Sequence, residues 1–351
     1  MRNLGHASFV ICALLVLPEA HAWPQTTAAD NGVPALKVTA PNGAENLLIG
    51  SMHIPADGLR QPADSVMDGA KSYVVEGVPD PGRKADQNAM APEVLKAGEA
   101  MRLASARGKQ GLLELMQAVA QGNVPGVAMR NDKIILRANW AMSLTENQVA
   151  QLYRNAGCDP AVTQAVMEAG QTVERVVDLM LVLRSPSAAA DIASRPCASS
   201  GLLSRDRLLF RAAAKRGLQP QPLETQEEVD KQRNAVPLHI HEFQLHQAFR
   251  PTYQRALQQT IKSLNSGNYD GVLEAANSIA ATPEDASTYE RLMVFNRNSA
   301  WLPKLMEFLN EGRSVVNVGA SHLPGPNGVL ALLRDKGYRI EPILIPAGDG
   351  R

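Results

Sequence analysis

The chain has no excess of either charge: Lys plus Arg and Asp plus Glu each number 35 in 351 residues. No basic face for nucleic acid is therefore expected. Aromatics are scarce, at 4%. With Ala, Leu, Met and Gln plentiful, the composition leans towards helix. Beyond the N-terminal leader there is no long apolar run, so no membrane span is expected in the mature chain. Several catalytic signatures are also missing. No HExxH occurs, which excludes a zincin-like peptidase. Ser321 stands beside a histidine, but Leu323 occupies the place where a nucleophile elbow needs its last glycine. "LPGPNG" reads as a turn, because no GK[ST] follows it to make a phosphate loop.

What is present begins with the leader, "MRNLGHASFVICALLVLPEAHAW". Arg2 supplies positive charge, Ala7 to Leu17 an apolar stretch, and Ala20-His21-Ala22 a small-x-small cleavage site. The expectation is export, a signal peptide of residues 1–22, and a mature chain starting at Trp23 in a periplasmic or extracellular compartment. Cys12 lies inside the apolar stretch and is not placed for lipid attachment. Two cysteines then remain, Cys158 and Cys197. They are too far apart for a zinc knuckle, and an oxidising compartment favours their pairing over two separate buried thiols.

Further along, "PNG" marks a turn between strands at about Leu36 to Thr39 and Asn46 to Ser51. "SYVVEGV", Ser72 to Val78, is a β-branched strand with Glu76 near its end. From about Pro92 to Arg216 the apolar spacing is i, i+3, i+4, the helical period. "SPSAAADIASRPCASSG" reads as a loop. A helix stopped by Gly217 comes next, then a short strand leading to Glu224 and a helix start at Thr225. Helices follow at about Phe243 to Ser266, Tyr269 to Ala280 and Pro283 to Asn310. The chain closes with a strand–helix–strand unit, "VVNVGASHLPGPNGVLALLRDKGYRIEPILI". The expected fold class is α/β: a mixed sheet formed by N- and C-terminal strands, with a helical insertion at about 92–216. Residues 23–351 form a single domain in this reading.

One pattern occurs twice. "NLLIGSMHIP" and "VVNVGASHLP" each carry an apolar run, a glycine and, three residues on, a histidine. His53 and His322 then stand at the carboxyl ends of sheet strands, where ligands of open α/β sheets bind. Gly50 and Gly319 allow a bend or a close approach of backbone or ligand. If the two strands are neighbours, about 4.8 Å apart, both imidazoles reach one ion. Glu76 can add a carboxylate. Two His and one carboxylate leave positions open for water and substrate, and the ion lowers the pKa of that water. Arg297, with Asn298 beside it on a preceding helix, can hold substrate charge. The alternative is that each histidine is a strand-end residue bonded to a loop, with Arg297 paired to an acid. A rival cluster lies in "LHIHEFQLH", where His239, Glu242 and His246 share one helix face, more often a solvated stripe.

"LLIGSMHIP…YVVEGV", "LETQEEV", "RNSAWLPKLMEFL" and the C-terminal unit together resemble the TraB/GumN family over almost all of the mature chain. The C-terminal block carries GxxH, then LxGxxG, then a short helix ending in KGY. The resemblance implies a fold akin to erythromycin-esterase-like and ChaN-like proteins. It also implies activity like that of the family's TIKI metalloproteases, with Mn or Co as the ion and Zn as a third choice. By position it implies His53, His322 and Glu76 as metal ligands, with Glu224, Arg297 and Asn298 in support. The chain departs at Glu76-Gly77-Val78, where relatives often read Glu-Leu-Asp, and at Ser51, often Thr.

The expected function is that of an exported metal-dependent hydrolase of peptide or amide bonds, its partner a peptide or small-molecule substrate. The alternative is a non-catalytic ligand- or metal-binding protein on the same fold.

Overall fold

The computed structural model describes residues 32–78, 89–130 and 133–350. The expected leader, with Cys12 and the expected cleavage point after Ala22, lies outside the described residues. The chain opens with β1 (Val33–Thr39) and β2 (Glu45–Ser51), then β3 (Gln61–Pro62) and β4 (Ser72–Val75). Next come α1 (Pro92–Ala106), α2 (Gly108–Ala120), β5 (Val127–Arg130), β6 (Lys133–Leu136), α3 (Asn139–Met142) and α4 (Glu146–Cys158). They are followed by α5 (Pro160–Glu168), α6 (Val173–Met180), α7 (Ser187–Ala193), α8 (Arg205–Ala214) and β7 (Pro220–Pro222). After them run α9 (Gln226–Ala235), α10 (Leu238–Ala248), α11 (Pro251–Ser266), α12 (Tyr269–Asn277) and α13 (Pro283–Glu290). A π turn, Arg291–Phe295, joins α13 to α14 (Asn296–Glu311); then come β8 (Ser314–Gly319), α15 (Val329–Asp335), β9 (Arg339–Ile345) and β10 (Ala347–Gly348).

The sheet has six strands in the order β7-β4-β8-β2-β1-β9. β7, β4, β8 and β2 run parallel, while β1 is antiparallel to both β2 and β9. "PNG" makes the β1–β2 turn: the Ala40 N–H donates to Ala44 O at 2.8 Å, and Gly43 takes φ 86°, which a side chain would oppose. Strand alternation divides the core between two faces. Leu36, Val38, Leu48, Val74, Val316 and Val318 face α11, α12, α14 and α15, around the fully buried Trp301. Ala35, Leu47, Ile49, Tyr73 and Val315 face α8 and the turn at Asp64–Met67. Near-continuous apolar strands buried on both faces are what a parallel sheet requires.

The α/β class and the sheet built from both chain ends are as expected, but local details differ. The stretch expected to be helical throughout contains the β5–β6 hairpin. The expected loop at 185–201 contains α7, whose Ala189, Ala190, Ile192 and Ala193 pack into the helical core; the alanines outweigh the flanking Ser and Pro. The helix expected from Phe243 breaks into α10 and α11, because Pro251 disfavours helical backbone at Arg250. α8, expected within the insertion, packs on the sheet instead.

Cys158 and Cys197 form a disulfide with Cα atoms 5.4 Å apart and a sequence separation of 39. It joins the end of α4 to the loop after α7. Closing a loop of that length restricts the unfolded chain by about 4 kcal/mol on the entropy model. Cys158→Ser with Cys197→Ser is therefore expected to lower the urea-unfolding free energy by up to about 4 kcal/mol. Reductant should produce the same shift in the wild type and none in the variant.

Candidate functional site

Four adjacent parallel strands end in one row. β7 leads to Glu224, β4 to Glu76, β8 to Gly319 and His322, and β2 to Ser51 and His53. In the β2–β8 register Gly50 faces Val318 and Ser51 faces Gly319, so the two GxxH passages lie side by side. The Leu223 and Glu224 N–H groups donate to Glu76 O, at 3.0 and 2.9 Å, and join the next two strand ends.

His53 Nε2 lies 3.5 Å from Glu76 Oε1, and His322 Nε2 lies 3.9 Å from the same oxygen. Each ring is oriented from behind. His53 Nδ1 meets Asp206 Oδ1 at 3.3 Å. His322 Nδ1 meets Asn298 Oδ1 at 2.7 Å, and Asn298 Nδ2 donates to the carbonyls of His322 and Asn327. Those donations leave the Asn298 carbonyl oxygen as acceptor, so His322 carries its proton on Nδ1 and leaves Nε2 as an acceptor, with Arg297 NH1 3.3 Å away. Asp206 is itself held by Ser51 Oγ at 2.9 Å and by Asn317 Nδ2 at 2.8 Å. Arg205, the residue before it, is fully buried and donates to Gly50 O and Arg60 O. Ser204 caps α8 through the Arg207 N–H, and the first turn of α8 grips the end of β2 through two consecutive residues, Arg205 at Gly50 O and Asp206 at Ser51 and His53.

Gly319 is required by space. A Cβ there would stand 2.9 Å from His53 Nε2 and 3.0 Å from Glu76 Oε1, and its N–H donates to Glu76 Oε1. Gly50 is equally confined: a Cβ would meet the Tyr269 ring at 2.6 Å. Of the sequence's two readings of these glycines, close approach is the one seen.

Arg297 lies across the floor of the site. Its Nε and NH2 donate to Glu224, NH2 donates to Glu76 Oε2 at 2.9 Å, and NH1 to Met293 O at 2.9 Å. NH1 also lies 3.3 Å from His322 Nε2. The guanidinium, expected to hold substrate charge, is thus spent on the protein's own groups. Trp301 supports it from below, 4.9 Å from the guanidinium and 4.4 Å from the His322 ring.

The model of the TraB/PrgY/gumN family covers residues 35–342. The chain belongs to that family. No curated protein and no solved structure matches it. In this TraB/PrgY/gumN chain the N- and C-terminal strands that carry the two GxxH passages both fall within the matched region.

The charges of the site explain its protonation. Burial would lower the His53 pKa, but half of the ring's surface stays exposed, 52%, and Asp206 and Glu76 outweigh that cost, holding it well above the ordinary histidine value. Burial would raise Glu76; His53 and Arg297 reverse this and keep its carboxyl well below the usual range. Burial would raise Asp206 too, and His53 lowers it. His322, only 4% exposed, is pulled down to about 3 by burial against the opposing pull of Glu76, with Arg297 adding to the effect.

The rival cluster is dispersed. His239 Nε2 pairs with Asp285 at 2.9 Å, and His246 Nε2 meets Ser143 Oγ at 3.0 Å. Among the described residues no three His, Cys, Asp or Glu side chains are already gathered as a metal site. At the strand ends the Arg297 guanidinium stands between Glu76 and His322. Asp206 escaped the sequence reading. Its one local signal was "SRDR", a serine cap followed by an acid in the first helical turn, and that pattern is as common at purely structural caps.

Two outcomes are expected. Gly319→Ala overpacks the site and costs about 1–3 kcal/mol in denaturant unfolding. In metal-free protein Asp206→Asn lowers the His53 titration midpoint, read from its ring proton resonances, because the first raising charge is removed. An unchanged midpoint would show that Asp206 does not control this ring.

Proposed function

We propose that the protein is an exported metal-dependent hydrolase acting on peptide or amide bonds. One observation carries this reading: two imidazoles, each engaged at Nδ1, turn Nε2 towards a single carboxylate at the ends of adjacent parallel strands. The donor set suits a divalent ion. With His53 neutral, the three carboxylates Asp206, Glu76 and Glu224 set against the Arg297 guanidinium leave two negative charges, the complement of such an ion. His53 Nε2, His322 Nε2 and Glu76 would hold it, with Mn, Co or Zn compatible with two nitrogens and one oxygen. Bound there, the ion would acidify a water and polarise a carbonyl.

The chain's own groups have separable roles in this reading. Asp206 and Asn298 fix the two rings, which is where such sites gain affinity. Arg297 favours the ionised form of Glu76 and orients both Glu76 and Glu224, so it is a positioning residue. Glu76 is the ligand or the general base, since its Oε1 is the oxygen shared by both histidines. The half-exposed His53 marks the side from which substrate arrives, while His322 closes the opposite wall. Export is supported by the leader pattern and by the Cys158–Cys197 disulfide.

One contact favours the alternative, a binding protein without turnover. Arg297 NH1 sits 3.3 Å from His322 Nε2, and while it donates there that lone pair is taken.

The deciding experiment is elemental analysis of the mature protein, residues 23–351, after loading with Mn, Co or Zn. About one ion per chain is expected, absent from a His53→Ala/His322→Ala double variant. Quenching of Trp301 emission by Co should report the same binding, since that ring touches His322, and Trp301→Phe should remove the signal. Equal metal in wild type and variant, or none in either, overturns the reading. With the ion confirmed, Glu76→Gln is expected to abolish turnover of a peptide library.

A further inference from the structure

A cavity of about 280 Å³ lies behind the π turn, outside the strand-end site. Faces of α7, α10 and α13 build it, together with Tyr253 of α11 and the end of α12 with the segment after it. Ser187, Ala190, Asp191 and Ser194 of α7 line it at the spacing i, i+3, i+4, i+7, one face of a helix. Ile240, Phe243, Gln244 and Gln247 of α10 do the same from the opposite side. Ala286 and Tyr289 of α13 complete the wall, and Met293 of the π turn joins them. π turns inside α-helices recur at functional positions. Here the turn presents Met293 to the cavity while its carbonyl holds Arg297.

Ile240, Phe243, Ile279 and Met293 give the cavity an apolar part among polar groups, and its fixed charges are unequal in their commitments. Asp191 is bound by Arg195 through Nε at 3.3 Å and NH2 at 2.8 Å. Asp285 is met by His239 at 2.9 Å. The cation Arg233 approaches Asp230 only at 3.6 Å, with 42% of its side chain exposed. The end of α9 that carries it is pinned, because His241 Nε2 contacts the Arg233 carbonyl at 3.2 Å. The two acids are thus engaged, and the guanidinium stands at the rim of an apolar chamber with a bidentate face to offer a carboxylate.

We infer that this cavity binds a small carboxylic acid with an apolar body, of the size of one aromatic or branched amino acid. The body occupies the chamber between α7, α10 and α13. The carboxylate meets Arg233, and the Tyr289 hydroxyl and Gln244 amide line the same wall. Enclosed apolar chambers with a few convergent polar groups are the usual form of small-ligand sites. The inference stands apart from the metal-dependent reading, since no residue of the strand-end cluster lines the cavity.

The test is ligand-observed NMR of the whole mature protein with N-acetyl-L-phenylalanine and with its amide, which has the same body and no carboxylate. The acid is expected to bind and the amide to bind at least about tenfold more weakly, the loss that one charge-assisted pair produces. Arg233→Gln, at a half-exposed helix end, should erase the preference for the acid. Ala286→Phe should fill the chamber and block both probes. Thermal melts of each variant matched to the wild type establish that the fold is retained. No binding of the acid at concentrations on the order of ten millimolar overturns the inference. Equal binding of acid and amide, or acid binding untouched by either variant, overturns it as well.

Discussion

Glu76 is a largely buried carboxylate at the end of a central strand, its side chain 15% exposed, and its ionisation is the condition on which the rest of the site depends. Removing such a charge from water costs several kcal/mol unless opposite charge and hydrogen bonds replace the solvent. Here the Gly319 N–H, the Arg297 guanidinium and the His53 ring supply them. Each of those partners is demanding in turn. A side chain at Gly319 would push on His53 and Glu76, Arg297 uses Glu224 as a second counter-charge, and His53 is held by Asp206. The chain of requirements runs through β8, α14, β7, β2 and α8, so one buried charge ties five elements into one register.

The fold meets these demands through strand order. Because β7, β4, β8 and β2 are parallel and adjacent, their carboxyl ends present Glu224, Glu76, His322 and His53 in one row. The side chains that steady the row come from helix termini packed on both faces of the sheet. Asp206 stands in the first turn of α8 on one face, and Arg297 and Asn298 in the first turn of α14 on the other. The helical block, closed by its own disulfide and its own core around Trp140 and Leu152, contributes no residue to this row. It builds, with α10 and α13, the wall of the separate cavity.

Much of this was legible in the chain. The buried strands announced themselves as β-branched runs, and both GxxH passages stood out because the chain has few histidines, seven in all. Thr225 marked a helix start, and in the structure it forms a capping box with Glu228. The misreadings were also physical. α7 is short and flanked by Ser and Pro, so its alanines were outweighed in a local reading. The β5–β6 hairpin lies between strongly helical stretches. Arg297 was visible as a candidate, but its commitment to Glu224 and Glu76, 73 and 221 residues away in sequence, was not. Asp206 carried only a helix-cap signal.

The sequence by itself determined the α/β class, the sheet drawn from both chain ends, the pair of strand-end histidines and the cysteine pairing. Those properties follow from local periodicity, from composition and from the number of thiols, which are written along the chain. Tertiary structure alone decided that β2 and β8 are neighbours and that both imidazoles face one carboxylate. It also decided that Asp206 and Asn298 orient the two rings and that Arg297 is turned inward. Such contacts join residues far apart in sequence, and their energy comes from removing charges from water together, which no local window of residues can encode.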